Sequence, residues 1–374
     1  MLLPSRKVFR PWSLSLLRAV ATVGYFGLGM SASQGQSPSD GGTPRWLADW
    51  VECREAIRDA LQPLRQPETS ILFLREHPAV QGDAVRFEHL PERLVLVVGG
   101  LQSRPETSAV FAKSLQQRSE QTADIAYAVL DYPNDGPLQA SGAALRSLLL
   151  QLEDTAPQTQ VTLVTHSMGG LVARCALEWN ADPAERRPAK VDRLVMICPP
   201  NHGSVLAKYA DAMEITDLAE RLQRDGLNWE TLMATLVHDG MGEACDDLIP
   251  NSQFLHRLNA APRAEGVRYS IAFGTGGPID PMHRAVSTLV WEGLRENVER
   301  KSGDAAWLAK RLQELMHCDE LTRGRGDGAV ACRSANLLGV HEKAGFRIHH
   351  LQWAEAAEPE VQRMIDWVVQ RALR

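Results

Sequence analysis

The 374-residue sequence lacks several features that define large classes of protein. It has six cysteines and no CxxC pair, which argues against a disulfide scaffold and against a cysteine-rich zinc site. It has no uncharged apolar run of about 18 residues, the length of a membrane-spanning helix. Its 40 Lys and Arg are outnumbered by 46 Asp and Glu, which disfavours a nucleic-acid-binding protein. The hydrophobic fraction of 44% is instead typical of a folded globular protein.

The first 33 residues have the order of an export signal. Three basic residues among the first ten precede an uncharged apolar segment at 19–30, and small residues follow at 31–33. This order predicts a signal peptide or a membrane-proximal leader, and hence an exported protein that is periplasmic, secreted or envelope-associated. A disordered N-terminal tail is the alternative. Export would permit disulfides, which the sequence cannot pair, among Cys53, Cys245, Cys318 and Cys332.

Downstream of residue 93, short apolar runs alternate with segments of helical periodicity. The runs predict buried strands at Leu94–Val98, Ile125–Leu130, Val161–Val164, Leu194–Cys198, Tyr269–Phe273 and Phe346–His350. Helices are predicted between them, as at Leu138–Leu152, and at the end of the chain, at Glu360–Ala372. This alternation predicts an α/β fold with a mostly parallel central sheet flanked by helices.

The main domain is predicted to span 93–374, after an N-terminal extension at 34–92 that contains a helix and the first strands. Two helical segments interrupt the alternation, at about 205–266 and 281–318. Both follow strand ends, where open α/β sheets bind their ligands, so we expect cap or lid insertions there. Their apolar residues would either form an acyl pocket or pack on the sheet.

The sharpest local signal surrounds Ser167. An apolar strand runs into the segment Thr-His-Ser-Met-Gly-Gly at 165–170 and then into a helix. A serine among small residues at such a junction is typical of a nucleophile elbow, usually G-x-S-x-G, and the helix N-terminus offers N–H donors to an oxyanion. Thr165 replaces the first glycine, so we expect a crowded turn that Gly169 and Gly170 relieve on the helix side. A plain strand–turn–helix is the alternative.

This segment resembles the H-S-M-G-G-L sequence of lipases and esterases in the α/β-hydrolase superfamily. Three further segments resemble the same group, at 97–103, 198–204 and 247–259. The last of them is similar to a stretch of bacterial triacylglycerol lipases and GPI inositol-deacylase-like proteins. The resemblance spans roughly residues 94–374 and implies an α/β-hydrolase fold with helical cap or lid insertions.

The resemblance also implies an acid and a base, in the chain order serine, acid, histidine. Asp327 lies in a glycine-rich segment that matches the family's acid loop, and Asp280 is the second candidate. His350 matches the family's base, and His349 is the alternative. Neighbours on an extended chain point to opposite sides, so only one of the two is expected to face the serine. His166 is expected to pack or hydrogen-bond beside the nucleophile.

In this family two backbone N–H groups hold the oxyanion, and the matching residues are Met168 and Leu101. Gly99 stands where the family usually has histidine, so we expect the backbone donor to persist on a more mobile loop.

The function implied is a serine hydrolase that cleaves carboxylic esters, as a lipase or esterase, through a Ser-His-Asp triad and an acyl-enzyme. An acyltransferase with the same residues and a non-catalytic binding protein are the alternatives. The chemistry requires no metal or cofactor. The expected partner is a small-molecule or lipid ester rather than nucleic acid, with contact to a membrane surface or lipid interface through the helical insertions.

Overall fold

The computed structural model describes residues 69–74, 80–81, 84–85, 90–101, 103–119, 125–179, 186–209, 243–282, 284–285, 314 and 317–373. The expected signal segment, the N-terminal helix and most of both helical insertions lie outside the described residues. The described residues belong to one compact unit. None of its described helices is long and apolar enough to cross a membrane.

A seven-stranded sheet organises the described structure. In chain order its strands are β1 (Ser70–Phe73), β2 (Arg93–Val98), β3 (Ile125–Asp131), β4 (Gln160–His166), β5 (Val191–Ile197), β6 (Arg268–Gly274) and β7 (Glu342–Phe346). Their spatial order is β1-β3-β2-β4-β5-β6-β7. Only β1 runs antiparallel to its neighbour in this sheet. The mostly parallel sheet predicted from the sequence is confirmed, and its arrangement is that of the α/β-hydrolase fold.

Helices cover both faces of this sheet. They are α1 (Pro105–Arg118), α2 (Leu138–Thr155), α3 (Gly169–Glu178), α4 (Glu243–Leu248), α5 (Gln253–Ala260), α6 (Cys332–Ala335) and α7 (Pro359–Leu373). Alternate residues of β2 point to opposite faces, because the strand period is two. Leu94 and Leu96 join the cluster under α2 and α3, whereas Val95 and Val97 join the cluster under α1 and α7.

The last strand differs from its predicted position. The sequence pattern predicts a strand over Phe346–His350, but β7 covers Glu342–Phe346 and a 3₁₀ turn occupies His350–Gln352. The prediction failed because β7 lies at the edge of the sheet and is largely exposed, so its sequence has no apolar run. Of the apolar residues after Phe346, Ile348 and Trp353 pack inward beyond the end of the ladder, whereas Leu351 is exposed.

Candidate active site

Ser167 lies at the sharp junction between β4 and α3. Its backbone has φ 53°, a left-handed conformation that a non-glycine residue rarely adopts. The Ser167 N–H donates to the Ile197 carbonyl at 2.8 Å, and the Ser167 carbonyl accepts from the Gly170 N–H at 3.0 Å. These bonds stabilise the strained turn, which leaves the serine partly exposed among buried neighbours.

The crowding expected from Thr165 is present at this turn. Thr165 is buried, and its hydroxyl has no hydrogen-bond partner among the described residues. A Cβ at position 170 would lie 3.3 Å from Thr165 Oγ1 and 3.1 Å from Pro199 Cβ. At position 169 a Cβ would lie 2.6 Å from the Val98 carbonyl oxygen. Glycine at 169 therefore lets the helix start against β2.

Ser167, His350 and Asp327 form a continuous hydrogen-bonded chain. His350 Nε2 lies 2.8 Å from Ser167 Oγ, and His350 Nδ1 lies 2.8 Å from Asp327 Oδ2. The carboxylate can only accept at neutral pH, so Nδ1 carries the proton and Nε2 presents its lone pair to the serine hydroxyl. The structure thus brings together the three residues that sequence comparison selected from distant parts of the chain.

Asp327 is fully buried but held as a carboxylate. Burial by itself would raise its pKa, but the charge and hydrogen bond of His350 outweigh that effect and lower the pKa below its usual value. The backbone N–H groups of Ala329 and Val330 donate to its other oxygen at 2.9 and 2.7 Å. Such bonds favour the charged form, so Asp327 is ionised at neutral pH.

The two alternative residues lie elsewhere. His349 Nδ1 accepts from the Leu351 N–H at 3.4 Å, so its ring caps the 3₁₀ turn rather than facing the serine. Asp280 accepts from the Met282 N–H at 2.9 Å and lies 3.5 Å from the Arg323 guanidinium. Asp280 is also well exposed, with 40% of its side-chain surface accessible. Neither residue contacts Ser167 or His350 among the described contacts.

The loop after β2 lies directly against the serine. A Cβ at Gly100 would stand 2.8 Å from Ser167 Cβ, so only glycine permits this approach. Leu101 follows, and Met168 follows the serine. No acceptor within the described part of the chain bonds to either of their N–H groups. Both N–H groups therefore lack an acceptor among the described residues, which the predicted role of oxyanion donor requires.

Sequence reasoning missed the residue that anchors this loop. The Tyr132 hydroxyl, fully buried, donates to the Gly99 carbonyl at 2.7 Å. The Asn134 side-chain amide donates to the Ser103 carbonyl, also at 2.7 Å. Tyr132 thus stabilises the loop from the end of the neighbouring strand. The Tyr-Pro-Asn turn that follows β3 is the sequence signal that could have indicated this support.

A second buried polar cluster lies behind α3 and was also missed. Arg174 and Glu178, both without exposed surface, pair one helical turn apart at 3.0 Å. Arg174 also donates to the side-chain oxygens of Asn201 and Asn259 at 3.0 Å. Arg263 donates to Glu178 at 2.7 Å. The network ties the helix of Ser167 to two of the segments that resemble lipases.

His202 lies beside this network and away from Ser167. It is exposed at the surface, and desolvation together with the charge of Arg174 lowers its pKa. Its backbone N–H donates to the Ser334 carbonyl at 3.1 Å. His202 therefore belongs to the turn after β5 and takes no part in the described hydrogen bonds at Ser167.

Three side chains at this site carry atoms that could ligate a metal ion. Among the described residues, one atom each of Cys198, Asp327 and His350 lie within 4.8 Å of one another. Both ring nitrogens of His350 are already hydrogen-bonded, and the pKa of the Cys198 thiol is raised by burial and by Asp327. A protonated thiol and an occupied imidazole are poor ligands, so these residues do not fit a metal centre.

The amino-acid sequence is similar to one family of known sequences. Residues 73–294 match the sequence model of a family described as "Domain of unknown function (DUF7379)". The chain belongs to this family. The matched range includes Ser167 and ends before Asp327 and His350, and no curated protein sequence matches the chain.

Several solved structures are similar to this chain. The mature lipase BlEst2 of Bacillus licheniformis is 18% identical, with a TM-score of 0.44 over 80% of this chain and 98% of the lipase. YbtT, a type II thioesterase of the yersiniabactin pathway, is 16% identical, with a TM-score of 0.44 over 81% of this chain and 97% of YbtT. The phospholipase PlaB of Legionella pneumophila is 19% identical, with a TM-score of 0.35 over 49% and 39%. At these identities the similarity concerns the fold alone.

Proposed function

We propose that this member of the DUF7379 family is a serine hydrolase that cleaves carboxylic esters. The observation that carries the proposal is the chain of contacts from Ser167 Oγ through His350 to Asp327, with both distances at 2.8 Å. In it Ser167 is the nucleophile, His350 the general base and Asp327 the residue that orients the base.

The geometry supports a two-step acyl transfer. His350 Nε2 takes the hydroxyl proton while Ser167 Oγ attacks the ester carbonyl carbon, and the N–H groups of Met168 and Leu101 hold the resulting oxyanion. His350 then returns the proton to the departing alcohol as the acyl-enzyme forms. Water, deprotonated by His350, attacks the acyl group. The attack forms a second tetrahedral intermediate. As it collapses, His350 returns the proton to Ser167 Oγ, the carboxylic acid is released and the serine is restored.

Asp327 contributes by its charge and by its position. Its depressed pKa keeps it ionised while His350 accepts a proton, so it stabilises the imidazolium that forms in both steps. It also fixes the tautomer with the proton on Nδ1, which leaves Nε2 as the base.

The proposed substrates are carboxylic esters as a class. The helical insertions expected to form an acyl pocket or to contact a lipid interface lie largely outside the described residues, so no contact selects a chain length. We also propose export, on the basis of the signal-like order of residues 1–33 alone.

The test is labelling by a fluorophosphonate probe together with turnover of short p-nitrophenyl esters. Ser167→Ala is expected to abolish labelling and to reduce turnover by about 10⁴-fold or more. Ser147→Ala is the matched control, because this serine lies exposed on α2 and bonds only its own helix. Undiminished labelling of Ser167→Ala would refute the proposal. Addition of an acceptor alcohol distinguishes hydrolysis from transfer, since a transferase yields a new ester in place of free acid.

A further inference from the structure

His166 is bonded to the main chain of the proposed base. Its Nε2 lies 3.1 Å from the carbonyl oxygen of His350. A carbonyl can only accept, so Nε2 carries the hydrogen and the tautomer of His166 is determined. The contact joins the residue directly before the nucleophile to a residue that follows it by 184 positions.

The other backbone group of His350 is bonded as well. Its N–H donates to the main-chain carbonyl of Asp327 at 2.8 Å. The peptide groups on both sides of the base are therefore attached, one to the acid and one to the neighbour of the nucleophile. This backbone arrangement is separate from the side-chain contacts at Ser167 and Asp327.

The ring of His166 is also packed tightly in its place. It stacks on Trp353, with ring centroids 4.3 Å apart and planes at 5°, and Trp353 in turn packs on Phe111. The His350 ring lies on it at 4.8 Å. His166 is 4% exposed, so an alternative rotamer would have to displace these neighbours.

His166 remains uncharged in this environment. Burial and the nearby charge of His350 lower its pKa well below the usual value, and its hydrogen bond to the His350 carbonyl opposes them only in part. Among the described residues, His350 is the titratable group that faces it, since Trp353 and Phe111 are neutral. A neutral ring adds no repulsion when His350 takes up a proton.

We propose that His166 is a positioning residue, which holds the main chain of His350 so that Nε2 stays aimed at Ser167 Oγ. The inference rests on the proposed function, because it assigns His166 a role in the proton transfer at that same site. A displacement of about 1 Å at such a site can cost on the order of a hundredfold in rate.

Three substitutions of His166 distinguish the role of its hydrogen-bond donor from the role of its stacked ring. In His166→Gln the amide nitrogen reaches the position of Nε2, so the bond to the His350 carbonyl can re-form without the ring. In His166→Asn the amide is shorter and matches Nδ1 instead. His166→Phe retains a stacking ring without a donor. Val368→Ala, a buried change on α7 away from the site, controls for loss of stability.

The readouts are kcat and KM on a short ester, the rate of fluorophosphonate labelling and the melting temperature of each variant. We expect His166→Phe and His166→Asn to lower kcat and the labelling rate by roughly tenfold to a hundredfold, with KM within about twofold. His166→Gln is expected to recover most of the rate. Val368→Ala should lower the melting temperature without a change in kcat.

Two results would overturn the proposal. One is a His166→Phe enzyme as fast as the wild type, because the hydrogen bond would then have no role. The other is an equal loss in the Gln and Asn variants, because a purely steric role predicts no rescue by a correctly placed donor. Absence of labelling in the wild type would instead refute the proposed function itself, so the two failures are distinguishable.

Discussion

Asp327 and Glu178 are both buried carboxylates, yet they belong to clusters of opposite character. Glu178 is bonded by the guanidinium groups of Arg174 and Arg263. Asp327 bonds one nitrogen of His350, and the other nitrogen of that ring reaches the partly exposed Ser167. The first cluster consists of ion pairs only. The second, called the open cluster below, ends at the partly exposed hydroxyl of Ser167.

The difference shows that a buried charge does not by itself identify a reactive centre. The Arg174 cluster holds elements together, because the guanidinium groups of Arg174 and Arg263 both bond the carboxylate of Glu178. The Asp327 cluster is arranged for proton transfer, because an imidazole lies between its carboxylate and the hydroxyl of a serine in a strained turn.

The open cluster should depend on one of two adjacent histidines. His350→Ala removes the proposed base and is expected to lower kcat by about 10⁴-fold or more. His349→Ala removes only a turn-capping ring and should remain within about tenfold of the wild type. Steady-state kinetics on a short ester measures both. Equal losses of kcat in the two variants would contradict the proposal that His350, and not His349, is the base.

The two carboxylates should separate activity from stability. Asp327→Asn is expected to lower kcat by about 10⁴-fold, because the amide disturbs the tautomer of His350. Glu178→Gln leaves the buried Arg174 without its carboxylate partner and is expected to cost roughly 3–5 kcal/mol of unfolding free energy. Its kcat per folded molecule should change little. Urea melts and active-site titration measure both, and a Glu178→Gln variant as inactive as Asp327→Asn would break the comparison.

A smaller effect is expected where a neutral group supports the open cluster. Tyr132→Phe leaves the Gly99 carbonyl without its donor, so the loop that carries Leu101 should loosen and kcat should fall by up to about tenfold. Tyr127→Phe is the matched control, because its hydroxyl contacts Ser119 instead. Kinetics and melting curves of both variants distinguish a loop effect from a general loss of stability.

The smallest effect concerns pH. The pKa of His166 is lowered by burial, so the unfolded chain binds its proton first, and unfolding free energy should fall as pH drops through about 6.5. Asp327, whose pKa is also lowered on balance, contributes stability that is present above about 3.9 and lost as the carboxylate becomes protonated at lower pH.

Urea melts between pH 7 and pH 4 test this difference. His166→Gln should flatten part of the upper slope, while His202, whose pKa burial and Arg174 also lower, maintains the remainder. The change is expected to be at most about 1.4 kcal/mol per pH unit for each proton. An unchanged slope in the Gln variant would contradict a buried, neutral His166.

The sequence by itself determined the alternation of strands and helices and the place of Ser167. Both are local properties: a strand buried on two faces has a continuous apolar run, and a serine turn between strand and helix has small neighbours. The edge strand β7 could not be predicted in the same way, because its exposed residues carry no apolar pattern.

Only the tertiary structure shows that His350 rather than His349 lies beside Ser167, and that Asp327 rather than Asp280 lies beside His350. Adjacent residues differ in side-chain direction, and that direction depends on where a strand ends and a turn begins, which here is set by packing around residues 346–350. The positioning role inferred for His166 and the Arg174 network likewise depend on contacts between residues far apart in the chain. Sequence patterns over neighbouring residues do not predict such contacts, because these side chains come within hydrogen-bonding distance only when the chain folds.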